Sequence, residues 1–225
     1  MILGSVALFT ADDGVRGREL WVSNGTSPGT RRLADLIPGP RSSEPHDLLR
    51  FHDKVYFLAA NPGQGESLWR TDGTARGTTR VLDLTLDGLP SWGRNLTVAA
   101  GRLFFTVYNE TTGDELWAST GDAAGTGLLI DLHPGPGSSS SQFLTALGGV
   151  LLFSADDGLT GLEPWRTDGT AAGTVRLGDI APGLDASSPG PFTALPNVVL
   201  TGADDGIHGR EPWAIPKAEI VQPPQ

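Results

Sequence analysis

Short apolar runs alternate along the whole chain with clusters of Gly, Pro, Asp, Asn and Ser. Val55 to Ala59 and Val150 to Ala155 are examples, each bounded by turn residues. Such runs read as strands, because Val, Phe and Thr side chains suit a pleated, half-buried surface and Gly, Asp and Asn suit tight turns. No stretch carries the 3.6-residue apolar period of an amphipathic helix.

The runs recur at a fixed interval. Trp21, Trp69, Trp117, Trp165 and Trp213 are each 48 residues apart, and rows of 48 align without a gap. One column reads Phe9, Phe57, Phe105, Phe153 and then Thr201. Another is always glycine: Gly17, Gly65, Gly113, Gly161, Gly209. The column two before Trp reads Glu19, Ser67, Glu115, Glu163, Glu211. The first four rows share a turn: NGTSPGT at 24–30, DGTARGT at 72–78, TGDAAGT at 120–126 and DGTAAGT at 168–174.

Each row accommodates four strands. Strand A precedes a tight turn such as His52-Asp53, and strand B follows it. Strand C carries Glu-x-Trp, and strand D follows the Gly-Thr turn. Four strands per repeat of this length, repeated about five times, is the signature of a propeller. The expected fold is therefore all-β: a five-bladed β-propeller built from five 48-residue four-stranded repeats. The repeats fall at about 1–48, 49–96, 97–144, 145–192 and 193–225, in a single domain over 1–225. Such a repeat cannot bury both faces alone, so neighbouring sheets must stack, and all five repeat Trp are expected between blades. The glycine column is expected to hold positive φ in the B–C loops. The last row lacks the Gly-Thr turn. Its tail, Ala214 to Val221, is expected to supply the final strand and help close the ring, which removes exposed strand edges. An excerpt of a longer repeat array is the alternative.

The segments Glu19-Leu20-Trp21-Val22-Ser23-Asn24-Gly25-Thr26 and Ser67-Leu68-Trp69-Arg70-Thr71-Asp72-Gly73-Thr74 resemble the bacterial ELWxxDGT repeat family. Rows three and four match through Glu115-Leu116-Trp117 and Glu163-Pro164-Trp165, with Asp168-Gly169-Thr170 after the latter. Thr120-Gly121-Asp122 departs from the pattern, and row five keeps only Glu211-Pro212-Trp213. The resemblance covers essentially the whole chain. It implies a propeller-like fold and a secreted or cell-surface place, as in bacteria such as myxobacteria. It implies no established activity and carries over no catalytic residues. No export signal is visible, so any leader is expected to have been removed or to lie outside this sequence.

The chain has 225 residues, 16 basic against 26 acidic, for a net charge of −10. That balance argues against a nucleic-acid partner, because phosphate binding needs a basic surface. No apolar run approaches the ~18 residues of a membrane helix, so no membrane insertion is expected. The absence of Cys excludes disulfides, thiolate metal sites and Cys nucleophiles. His46, His52, His133 and His208 fall on different loops, without a pair at metal-ligand spacing. Neither a Gly-x-Ser-x-Gly elbow nor a phosphate-binding Gly-Lys-Ser/Thr loop is present.

Candidate chemistry then lies in the loops. Asp12-Asp13-Gly14, Asp156-Asp157-Gly158 and Asp204-Asp205-Gly206 have two readings. In one, the Asp side chain caps its own turn and Gly takes positive φ. In the other, Asp12, Asp13, Asp156, Asp157, Asp204 and Asp205 offer oxygen ligands to Ca²⁺ or partners to sugar hydroxyls. No other cofactor is expected.

Residues that break the repeat point more sharply to a single site. Trp92 stands where other rows have Glu44, Ser140 and Ser188, in the D–A loop 87–94, with Arg94 two residues on. In the next row, Tyr108, Asn109 and Glu110 replace Asp-Asp-Gly. The two loops are expected close together. Trp92, Arg94, Tyr108, Asn109 and Glu110 would form an aromatic platform with polar partners, suited to carbohydrate. The expected function is an extracellular recognition or adhesion module, lectin-like, for a carbohydrate or cell-surface partner. A non-catalytic structural module binding protein partners is the second reading. A glycoside-active enzyme ranks below both, because the acidic residues recur by row and none stands out as acid or base.

Overall fold

A computed structural model describes residues 1–63 and 65–221. Gln64, in the expected B–C loop 60–65, lies outside the described residues. The strands fall into five successive antiparallel sheets, one per repeat. The first holds β1 (Ile2–Leu3), β2 (Val6–Asp12), β3 (Arg18–Ser23) and β4 (Arg31–Ala34). The second holds β5 (His46–Phe51), β6 (Lys54–Ala60), β7 (Glu66–Thr71) and β8 (Thr79–Asp83). The third holds β9 (Trp92–Ala99), β10 (Arg102–Asn109), β11 (Gly113–Ser119) and β12 (Thr126–Leu128). The fourth holds β13 (Gln142–Leu147), β14 (Val150–Asp156), β15 (Leu162–Thr167) and β16 (Val175–Arg176). The fifth has three strands, β17 (Thr193–Ala194), β18 (Val198–Asp204) and β19 (Arg210–Pro216).

The chain divides into two compact units. The first comprises Met1–Leu96 with Gly121–Ala124, and the second comprises Thr97–Thr120 with Gly125 onward.

Strand register follows the 48-residue columns. Phe9 pairs with Trp21, Phe57 with Trp69, Phe105 with Trp117 and Phe153 with Trp165. Directly opposed residues share a face of the sheet, so each Phe and Trp lie side by side, with ring centroids 6.4 Å apart for Phe57 and Trp69. Leu8, Leu20 and Val22 lie on the other face of the first sheet. There they pack against Val55, Phe57 and Ala59 of the second, with Trp69 at the margin. In the second unit, Phe104, Leu116 and Ala118 of the third sheet receive Leu151, Phe153 and Trp165 of the fourth.

The expectation that all five Trp are buried holds only for Trp117 and Trp165, at 5% and 8% exposure. Trp21, Trp69 and Trp213 are partly exposed. Trp21 lies beside Phe9, itself 36% exposed, and Trp213 lies beside Thr201, which stands in the Phe column. Phe57, Phe105 and Phe153 fill the interior completely, at 0% exposure. The larger indole covers the flank of its Phe, and its N–H is directed to the sheet end: Trp21 Nε1 donates to the Ala11 carbonyl and Trp165 Nε1 to that of Ala155, each at 3.0 Å.

Among the described residues the tail also forms no closing strand. After Pro216 the chain turns into a short helix, α1 (Lys217–Val221). Pro216 lacks a backbone donor, and the Lys217 N–H turns back to the Asn197 carbonyl. Ile220 is then buried with Val150, Leu152, Val199 and Ile215 of the fourth and fifth sheets. Apolar burial holds the tail in place of a strand ladder.

The crossover from one sheet to the next is fixed by the Glu and Ser columns. The Glu19 carboxylate accepts the Leu36 N–H at 3.0 Å, the Ser43 N–H at 3.1 Å and the Ser43 hydroxyl at 2.6 Å. Glu115 accepts from Leu132 and Ser139 N–H at 3.0 and 2.9 Å. Glu163 accepts Ile180, Ala181 and Ser187 N–H and the Ser187 hydroxyl. All three Glu are completely buried. Burial raises Glu19 above the usual carboxylate range and pushes Glu115 up to about 7, against the pull of its N–H donors.

Gly161 and its four column-mates all hold positive φ, as expected. A side chain at Gly161 meets the Asp185 carbonyl at 2.8 Å, so the position is confined by a neighbouring loop as well as by its backbone angle. Gly161→Val is expected to destabilise the second unit by about 1–3 kcal/mol through strain, seen as a lower denaturant midpoint. An unchanged midpoint removes this account. Glu163→Gln replaces one acceptor oxygen by an amide that can only donate, facing N–H and O–H groups. Thermal or urea melts are expected to show a loss of about 1–3 kcal/mol, the range for a buried donor left unsatisfied.

Candidate functional site

The Asp-Asp-Gly loops resolve into turn chemistry. Asp12 accepts the Gly14 N–H, and Asp13 accepts Val15 and Arg16 N–H at 2.9 and 2.8 Å. Asp156 and Asp157, and Asp204 and Asp205, repeat the arrangement. These backbone donors hold Asp13 and Asp205 below the usual carboxylate range, with the His208 imidazole 2.7 Å from Asp205 the leading cause there. Among the described residues no cluster of three or more His, Asp or Glu is arranged to hold a metal ion. The Asx turns account for these six carboxylates.

Trp92 and Arg94 belong to the first unit, whereas Tyr108, Asn109 and Glu110 belong to the second. Trp92 opens β9 and does not lie in a loop, which corrects the expected placement. Glu44, Ser140 and Ser188, its counterparts, hold φ of 45°, 50° and 48°. Left-handed backbone is costly for a bulky side chain, so the third repeat keeps Trp92 extended. Its strand A starts two residues earlier than β5 and β13 do in their rows. Trp92 and Arg94, two residues apart on a strand, project to the same side, and both are exposed, Trp92 at 48%. Gly93 between them is buried against Leu58 and Leu84.

The second unit treats its three residues differently. Tyr108 is 39% exposed and Glu110 is exposed. Asn109 is fully buried. Its carbonyl oxygen accepts Thr111 and Thr112 N–H at 2.8 and 3.0 Å, and its amide donates to the Thr112 hydroxyl at 2.9 Å. The Asn109 side chain therefore serves its own turn and offers nothing to a ligand, contrary to expectation.

Beside Trp92 and Arg94 the structure places three titratable groups that sequence reasoning passed over: His46, Asp47 and Glu66. The Gly93 N–H donates to Glu66 Oε2 at 2.8 Å, and the Leu96 N–H to Asp47 Oδ2 at 3.2 Å. His46 sits between the two acids, with Nδ1 3.6 Å from Asp47 and Nε2 2.9 Å from Glu66. Asp47 first, and then Glu66, push His46 up to about 9, and the imidazolium in turn lowers Asp47. At neutral pH the group is a cation held by two carboxylates, with its side chain 37% exposed. The available signal was Ser67, the single interruption in the first four entries of the Glu column. With Glu missing there, the neighbouring Glu66 holds the next strand.

No protein-family model matches the chain, and no curated protein matches its sequence. Solved structures do resemble it. A puromycin hydrolase, crystallised as an S511A mutant complexed with PGG, superposes with a TM-score of 0.54 at 14% identity, over 98% of this chain and 36% of that one. A putative TolB from Agrobacterium tumefaciens gives 0.47 at 12% identity over 91% and 68%. An endo-arabinase from Bacteroides thetaiotaomicron gives 0.40 at 15% identity over 94% and 89%. The chain spans little more than a third of the hydrolase. The likeness to the hydrolase is one of fold: all-β, propeller-like, built of successive antiparallel sheets.

The His46 cluster yields a pH prediction. His46 gains partners on folding, so its stabilisation is fully present below its unfolded value near 6.5 and is lost as pH rises through about 9. Melts of the parent are expected to weaken over that window, and His46→Gln is expected to flatten the decline. NMR titration of the His46 ring with a midpoint near 6.5 rules out the ion-paired arrangement.

Proposed function

We infer that this chain is a propeller-type, extracytoplasmic recognition module of five blades, secreted or at the bacterial cell surface, that binds carbohydrate at the Trp92 strand. The placement outside the cytoplasm rests on the ELWxxDGT resemblance. The observation that carries the ligand class is an exposed indole with Arg94 on the same side of β9, next to His46, Asp47 and Glu66. An indole face suits the C–H side of a pyranose. The guanidinium, imidazolium and carboxylates supply directional partners for hydroxyl groups, and a few such polar groups set specificity at a largely apolar platform. Tyr108 and Glu110 belong to the other unit and are withdrawn from the site with Asn109. Only this repeat carries the combination, so one dominant site is expected and not five equal ones.

Calorimetric titration against soluble polysaccharides, guided by a glycan array, tests the reading. Trp92→Ala is expected to abolish binding while changing stability by no more than about 0.5 kcal/mol, as for an exposed position. Binding that survives Trp92→Ala moves the site elsewhere. An array without a single carbohydrate hit favours the module that binds protein partners.

A further inference from the structure

The second unit holds an open cavity of about 500 Å³ between the third and fourth sheets. Ile130, Leu132 and His133 line it from the segment after β12, Asp157 and Leu159 from the loop between β14 and β15, and Trp165 from β15. All six belong to the same unit. The volume suits a small molecule, and such sites combine apolar walls with a few convergent polar groups.

Two polar groups there have capacity left. Asp157 uses Oδ1 alone to accept the Leu159 N–H, the Thr160 N–H and the Thr160 hydroxyl, each at 2.9 Å. Among the described residues no partner reaches its Oδ2. Against the pull of partial burial, the Leu159 and Thr160 donors hold Asp157 below the usual carboxylate range, with Arg176 contributing. Arg176 itself is directed to Asp179, 3.7 Å away. The His133 imidazole has no hydrogen-bond partner among the described residues, and its Nδ1 is buried. Buried polar atoms left without partners are costly and uncommon.

Departures from the repeat make the place for His133. Its column reads Ile37, Thr85, His133, Ala181, and the column four later reads Arg41, Leu89, Gly137, Asp185. A side chain at Gly137 would overlap the imidazole, and one at Gly158 would come within 2.8 Å of Nε2. Gly137 does not hold positive φ, so its missing side chain makes room for the ring and serves no turn. The imidazole and the space for it thus arise together in the third row.

We propose that this cavity binds a small organic amine, an apolar body carrying one ammonium group. The body lies against Ile130, Leu132, Trp165 and the 73%-exposed Leu159, and the ammonium donates to Asp157 Oδ2. An ionised carboxylate only accepts, so the ligand must donate there, and a cation does so through a stronger, charge-assisted bond. The net charge of −10 draws cations and repels anions. The His133 ring walls the polar end, with Nε2 the nitrogen left for a ligand. The site lies in the second unit and does not depend on carbohydrate binding at Trp92.

Titration with phenethylamine, followed through amide and indole NMR signals, tests this. The amine is expected to shift Gly158, Leu159 and the Trp165 indole N–H saturably. Phenethyl alcohol, which has the same body without the charge, is expected to bind about tenfold more weakly. Asp157→Asn is expected to remove that preference and keep the fold, because its column already holds Asn61 and Asn109, and Asn109 accepts the equivalent turn N–H groups at 2.8 and 3.0 Å. His133→Ile, which introduces the residue of the first row, is expected to fill the polar end and weaken both probes. Absence of saturable shifts at these residues overturns the proposal. So does an amine held no more tightly than the alcohol, or an Asp157→Asn variant that keeps the preference.

Discussion

The fold turns on a buried carboxylate that reaches across a chain crossover. Glu19, Glu115 and Glu163 each accept an N–H from the segment that follows strand D and another from the serine that leads into the next sheet. That serine points both ways. While its N–H binds Glu of one sheet, the Ser43 carbonyl accepts from Ala60, Ser139's from Asp156 and Ser187's from Asp204, all in the sheet that follows. One residue thus hydrogen-bonds two sheets whose strands share no ladder. Completely buried acceptors of this kind are costly to leave unpaired, so the geometry of the crossover is tightly specified. Within each unit the sheets can then stack with a constant register.

Stacking explains the division of labour between aromatic columns. A sheet in this array has two unlike faces, one of Leu and Val and one of Phe and Trp, and the junction interleaves them. Phe57 and Phe153 fit entirely within that space. Trp carries a polar N–H, and in the first and fourth sheets that N–H finds an acceptor. The carbonyls of Ala11 and Ala155 supply it at the sheet end for Trp21 and Trp165. The Trp spacing announces the repeat because the residue is rare and its place constant, while the Phe column does more of the space-filling.

That distinction bears on what could be read in advance. The strand pattern and the positive-φ glycines were legible, since each depends on local chemistry that recurs every 48 residues, whereas the expected boundaries at 48/49, 96/97 and 144/145 fall inside β5, β9 and β13. The Glu column was visible, but its partners were not, because Leu36 and Ser43 lie 17 and 24 residues away and contribute backbone N–H groups that leave no mark on composition. The serine column, Ser43, Ser91, Ser139 and Ser187, was present in every complete row and easily taken for loop composition. The tail was misread because a final strand suited the repeat, whereas Pro216 and the apolar Ile220 favoured a helical turn packed on the core.

The second repeat shows how such an array departs from its own clamp. Replacing the column Glu by Ser67 removes the buried clamp, and a strand's side chains alternate between faces. Glu66, one position earlier, now receives the Gly93 N–H, yet lies nearer to solvent than its counterparts, at 14% side-chain exposure against complete burial of Glu19. A carboxylate in that place can hold the His46 cation, which the wholly buried clamps do not do, and Asp47 joins it from the start of the same sheet. The following strand then begins with an extended Trp92 where its relatives bend through left-handed backbone. Charge, aromatic surface and a lengthened strand thus arise together from two departures, Ser67 and Trp92, while the surrounding columns keep the scaffold unchanged.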